Sequence, residues 1–306
     1  MSEIRSVLAE MRAKRWHEDM HLAKWTTADL EAITSFTLEQ MITRQPGEIG
    51  GVPVRFIFFR RTDHLEEHAV QIAGFLRERF ELPVTQAHLY WEANQQARGD
   101  LYASLCGVTD EHLNDVPDEP EGEWSIRQIL EHLIGSERAY ATRAAYAVER
   151  WHAGKPYDGH PVLESGRRDW SGATLLDLIT ELDRAREESL QTLIDLKDDE
   201  LRAPMLWAGM DIDVRFQLMR FAHHEREHAA QIRKCRIQCG NAPGESADLL
   251  GTTWQAHSRL EGILAGVPDS VLDRDPGDEE WTIRRILEHI SSGETYFARV
   301  IDSALH

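Results

Sequence analysis

The stretch Glu123–Glu137, EWSIRQILEHLIGSE, decides the fold, and it occurs twice: 157 residues on, the chain reads EWTIRRILEHISSGE, Glu280–Glu294. In the first copy Ile126, Ile129, Leu130 and Leu133 share one face of a helix, the buried stripe of an amphipathic segment. Trp124 and Trp281 precede Ser125 and Thr282, hydroxyl residues suited to cap a helix N-terminus, and Gln128 completes a capping box in one copy. Both tryptophans are read as packing the helix entry. A second echo runs from Val54 to Ile72, VRFIFFRRTDHLEEHAVQI, and returns from Val214 to Ile232 as VRFQLMRFAHHEREHAAQI, at an offset of 160. Nearly equal offsets imply one ancestral unit present twice.

Working outward, helical periodicity dominates the long segments, and the period-two alternation of a half-buried strand is rare. The expectation is an all-α protein with eight helices, at about 3–25, 54–80, 85–107, 125–150, 172–197, 214–239, 246–266 and 282–304. Turn chemistry separates them at Gln45-Pro46-Gly47, Val116-Pro117, Lys155-Pro156, Ala203-Pro204, Ala242-Pro243-Gly244 and Asp275-Pro276-Gly277, and the acidic, Pro-rich stretch 115–123 reads as a loop. Val52 to Phe59 is the best strand candidate, but it continues smoothly into a helical pattern and reads as a helix start.

The order of the repeated pieces is informative. With the Trp-containing segment on helix two of the unit and the His pair on helix four, residues 85–240 hold one complete four-helix bundle. Residues 1–80 supply a third and fourth helix, and 246–306 a first and second, so the other bundle is circularly permuted. Closure of the two flanks within one chain is favoured over closure between two chains as a swapped dimer, because it needs no partner. The chain is expected to be a monomer or a homodimer.

The 306 residues suit two domains and can bury real cores. Lys and Arg number 34 against 53 Asp and Glu, a net charge of −19 that opposes phosphate backbones and anionic lipid, so neither nucleic acid nor membrane is an expected partner. Three cysteines make no disulfide framework, and the charged start MSEIRSVLAEMRAKRW offers no secretory h-region, which points to the cytoplasm. No G-x-S-x-G, P-loop or G-x-G-x-x-G pattern appears, which argues against hydrolase-triad, NTPase and dinucleotide chemistry.

The histidines carry the chemistry. His64 and His68, and again His224 and His228, stand four residues apart, close enough on one helix face for two imidazoles to grip one ion. Gln71 and Gln231 follow each pair at the same distance. His132 and His289, at the margin of the apolar stripe on helix two, add a third imidazole per unit, and a buried imidazole needs a partner or an ion. Three nitrogens leave a divalent ion open positions for water or substrate, as in catalytic sites; Zn is the first choice and Ni the second. Glu131 and Glu288 read as solvated surface charges, Glu137 and Glu294 as somewhat off the His face. His17 and His21 share the four-residue spacing but find Glu188 and Thr192 at the matching places in the other unit, so they read as surface, as does His223. Cys235 and Cys239 lie roughly 10–16 Å along the helix from His228, too far for the same ion. Cys106 reads as a small apolar filler.

W-[ST]-x-x-x-x-L-x-H on helix two with H-x-x-x-H-x-x-Q on helix four resembles the DinB/YfiT-like superfamily of proteins classed as metalloenzymes. Here both motifs occur twice, so the resemblance spans nearly the whole chain. It implies two DinB-like four-helix bundles, with metal ligands His132, His224 and His228 in one and His289, His64 and His68 in the other. Glu67 and Val70, or Glu227 and Ala230, stand where relatives often have His and Gly, which leaves the ligands intact but not any shared substrate contact. Relatives include S-transferases and isomerases that use low-molecular-weight thiols, so the resemblance implies a metal-dependent transferase or hydrolase acting on a small molecule with a thiol or water as nucleophile. The alternative is a non-catalytic metal- or small-ligand-binding module of a stress response. The dozen or so extra residues around 31–53 leave room for one site to be inactive.

Overall fold

The computed structural model describes residues 2–36, 51–118, 122–158 and 169–305. Among these, eight α-helices run as α1 Glu3–Leu22, α2 Val54–Gly74, α3 Gln86–Leu105, α4 Ile126–His152, α5 Leu175–Leu193, α6 Val214–Gln238, α7 Glu245–Leu264 and α8 Ile283–Leu305. The break at Gln45-Pro46-Gly47, most of the 31–53 segment and part of the 115–123 loop lie outside the described residues.

Local chemistry sets the helix starts. Ser125 accepts from the backbone N–H of Gln128 while its own N–H donates to Gln128 Oε1 at 2.9 Å, so α4 opens on a capping box. The Phe-rich run after Val52 is helical, with Pro53 as the residue before its first turn. Val52 itself pairs in an extended fashion, its carbonyl accepting from Thr34 N–H at 2.9 Å, so the strand character ends where the proline stands. Past Gly74 the helix continues as a π turn over Phe75–Arg79.

One element departs from the all-helical expectation. Residues Pro204–Trp207 and Met210–Asp213 form a two-stranded antiparallel hairpin, β1 and β2, pairing Trp207 with Met210 across Ala208-Gly209. Both turn residues have positive φ, 50° and 80°, as a two-residue hairpin turn of matching twist requires. Strands of four residues are too short for a periodicity signal, so Ala203-Pro204 reads in sequence only as a helix break.

The helices associate as two groups. In one, α6 packs on α3 and α4, and α4 on α5; in the other, α2 packs on α7 and α8, and α1 on α8 and α7. The N- and C-terminal helix pairs meet directly. Glu3 and Ile4 N–H donate to the Asp269 carboxylate at 2.8 and 3.0 Å, Lys14 reaches the Ser291 carbonyl at 3.0 Å, and Thr295 donates to Glu18 at 3.0 Å. At the corresponding point of the other group, Leu175 N–H donates to Asp110 at 2.7 Å. Asp110 and Asp269 belong to a third echo, LCGVTDEHL at 105–113 and LAGVPDSVL at 264–272, too short and too far from the histidines to attract notice in the sequence.

The two groups join along α3 and α7, and glycines permit the approach. A Cβ on Gly99 would lie 2.8 Å from Ser258 Cβ and 3.0 Å from Gln255 Cα, and one on Gly262 would meet the Glu92 backbone at 3.0 Å. Gly99→Ala is therefore expected to lower stability by about 1–3 kcal/mol despite alanine's better helix propensity, read as a lower urea midpoint. An unchanged or raised midpoint would show that the crossing is looser than this.

Candidate metal centres

Each group of helices gathers three imidazoles at one point. On α6, His224 and His228 are one turn apart, and His132 projects from α4 to meet them: His132 Nε2 lies 3.0 Å, and His228 Nε2 3.1 Å, from His224 Nε2. On α2, His64 Nε2 stands 2.9 Å from Nε2 of His289, which α8 supplies, and the His68 ring centroid is 4.8 Å from that of His64. In both sets the potential ligand atoms lie within 4.8 Å of one another. All six histidines singled out in the sequence are thus brought together, three and three. The exposed His223, and His21, which meets Asp302 at 3.2 Å on the surface, are not among them.

The state of the rings suits a cation. Gln71 Nε2 donates to Glu280 at 2.8 Å, which turns its Oε1 toward His68. An amide oxygen only accepts, so His68 Nδ1 carries the proton that bridges the 2.9 Å between them, which leaves Nε2 as the nitrogen on the side of the other imidazoles that could ligate. His228 Nδ1 makes the same contact to Gln231 Oε1 at 2.8 Å. This is the orienting contact that metal-bound imidazoles usually make through their second nitrogen. Burial, reinforced by the neighbouring imidazoles, pushes His64 and His224 down to about 3, and burial lowers His132, His228 and His289 as well. At neutral pH these rings are uncharged. Nitrogen lone pairs crowded within about 3 Å repel unless a proton or a cation lies between them, and a divalent ion takes up all three at once.

Other candidates fall away. Glu137 accepts from the Arg186 guanidinium at 2.8 and 3.2 Å in the core, and Glu294 pairs with Arg15, so neither reaches an ion. Glu67 and Glu227, one residue before His68 and His228, clamp Arg60 and Arg220 through paired hydrogen bonds of 2.8–3.0 Å. Burial raises the Cys106 thiol, and burial with the adjacent Cys239 raises Cys235 to about 12, so both stay protonated and are poor ligands.

The sequence reading did not assign several side chains to the sites. Trp124, expected only to pack the helix entry, lies 5.0 Å from His132 and stacks at 6.1 Å on His228, and Trp281 lies 5.0 Å from His289. Ser136 Oγ approaches His132 Nε2 at 3.4 Å, and the Tyr140 ring lies 5.5 Å from His224. The signal was available, since 132, 136 and 140 follow the four-residue spacing of one helix face.

A helical bundle that draws one imidazole from one helix and two from another could hold a metal ion. Over residues 93–232, a segment that holds His132, His224 and His228, the chain matches the model of the DinB superfamily. The chain is also 25% identical, over 156 residues that cover 46% of it and 93% of the relative, to the uncharacterized protein YuaE of Bacillus subtilis (strain 168). No solved structure matches the chain significantly. Among the described residues no helix is long and apolar enough to cross a membrane.

Proposed function

We propose that the chain is a metal-dependent enzyme of small-molecule chemistry, a thiol S-transferase or hydrolase, holding one divalent ion in each three-histidine set. The observation that carries the reading is the gathering of three imidazole nitrogens within 4.8 Å in both sets, with Nε2 pairs at 2.9–3.1 Å and Nδ1 of His68 and of His228 tied to a glutamine. Zinc is the first candidate and nickel the second, since neutral imidazole serves both. When bound, the ion supplies an open position at which a low-molecular-weight thiol or water is deprotonated near neutral pH. Gln71 and Gln231 keep the imidazoles in the ligating tautomer, while Trp124 and Trp281 wall the histidines on one side.

The same reading takes the two helix groups, 85–240 and 1–80 with 246–306, as one ancestral unit present twice, the second copy permuted and closed within the chain. In its favour, Asp110 and Asp269 receive corresponding helix starts, and Arg186–Glu137 and Arg15–Glu294 occupy corresponding core positions. We take its partner to be a small molecule rather than nucleic acid or membrane, and its location to be the cytoplasm.

Metal analysis of protein purified without chelator or affinity resin tests this. About two divalent ions per chain are expected, one for each set; protein that carries none and takes up none on addition of zinc or nickel would overturn the reading.

A further inference from the structure

We propose that the two sites have diverged: the one on α2 and α8 retains its ion more tightly, while the one on α4 and α6 is the reacting site. This rests on the metal reading above and concerns residues around the histidines rather than the histidines themselves.

The first difference is in what holds the glutamine. Glu280, just before α8, accepts from Gln71 of α2, which accepts from His68, a chain that ends in a carboxylate and raises the basicity of the ligating nitrogen. The corresponding carboxylate of the other site is Glu123, but it pairs with the Lys234 ammonium. In the aligned repeat, position 74 is glycine where 234 is lysine, so nothing on α2 competes for Glu280. One lysine therefore removes the charged end of the chain from the α6 site.

The second difference faces the convergent nitrogens. On α4, Ser136 brings a hydroxyl to His132, and the Tyr140 ring lies 5.5 Å from His224 with its hydroxyl bonded to Arg220. The corresponding residues on α8 are Gly293 and Phe297, the latter 5.9 Å from His64. A Cβ on Gly293 would lie 2.9 Å from His64 Cε1, so His64 occupies the space that the serine side chain fills in the other site. The α4 site thus offers a proton-carrying group, the Ser136 hydroxyl, where a reactant would sit, and the α8 site offers close packing and an aromatic edge. Tighter holding and fewer reacting groups coincide in one site.

The test is extraction of zinc from the zinc-loaded full-length chain by a colorimetric chelator. Two phases are expected, the slow one missing in His289→Ala and the fast one missing in His132→Ala. Glu280→Gln, at an exposed position that leaves the core untouched, should speed the slow phase about 10-fold, the lower end for a lost outer partner of a ligating histidine. Lys234→Ala, by releasing Glu123 toward Gln231, should slow the fast phase. Release of both ions at one rate, a reversed order, or a slow phase indifferent to Glu280→Gln would overturn the divergence while leaving the metal reading standing. A chain that takes up no zinc would overturn both.

Discussion

Replacing His224 with alanine is expected to weaken metal binding at the α4 and α6 site by more than about 100-fold, beyond the 10- to 100-fold range typical of losing an outer-shell partner. His224 is the hub of its set, its Nε2 lying within 3.1 Å of both other imidazoles, and it is buried, so no water-exposed residue can take its place. His64→Ala should do the same at the other site, where His64 Nε2 faces His289 Nε2. Each variant should thus carry one ion fewer than the parent. His17→Ala is the control, because His17 and His21 have the same four-residue spacing on α1 but belong to no three-residue group among the described residues. Equal metal content in parent and both site variants, by elemental analysis of folded protein, would remove the histidines from the metal account.

The second large effect is on stability. Arg186 on α5 lies in the core and bonds Glu137 on α4 at 2.8 Å, Glu225 on α6 at 3.0 Å and Gln95 on α3 at 2.7 Å, so one guanidinium ties four helices together. Arg186→Met should cost about 3–5 kcal/mol, because it strands the Glu137 carboxylate, which burial has already stripped of water, while Glu225 keeps Arg98 at 2.6 Å. Adding Glu137→Gln should recover part of that loss, since it removes the stranded charge. The measurement is urea unfolding of metal-free protein, so that a change in ion binding does not enter the apparent stability. A loss below about 1 kcal/mol would mean that water reaches the cluster and replaces the arginine.

These two effects draw on different kinds of information. The histidines of the first could be found by spacing and recurrence, because ligands on one helix must share a face and a duplicated site repeats its pattern. Arg186 and Glu137 could not: an arginine on a helix is usually solvated, and only the packing of α5 against α4, which carries the guanidinium to Glu225 on α6, shows that this one is buried. Trp124 was visible as a helix-entry residue, yet its stacking on His228 depends on how α6 lies beside that entry. The hairpin at Pro204–Asp213 escaped because its strands, four residues each, span only two periods of the strand alternation, too few to stand out.

What the chain by itself determined, then, is everything governed by neighbours within one helix: the apolar stripes, the caps, the imidazole pairs on α2 and α6, and the internal echo that suggested two like sites. The tertiary structure decided what lies across helices. It brought the third nitrogen to each pair, gave Glu280 to Gln71 but Glu123 to Lys234, and set Ser136 and Tyr140 against one triad and Gly293 and Phe297 against the other. The physical reason is that contacts within a helix follow from a fixed rise and turn, whereas contacts between helices depend on the whole packed core that orients them.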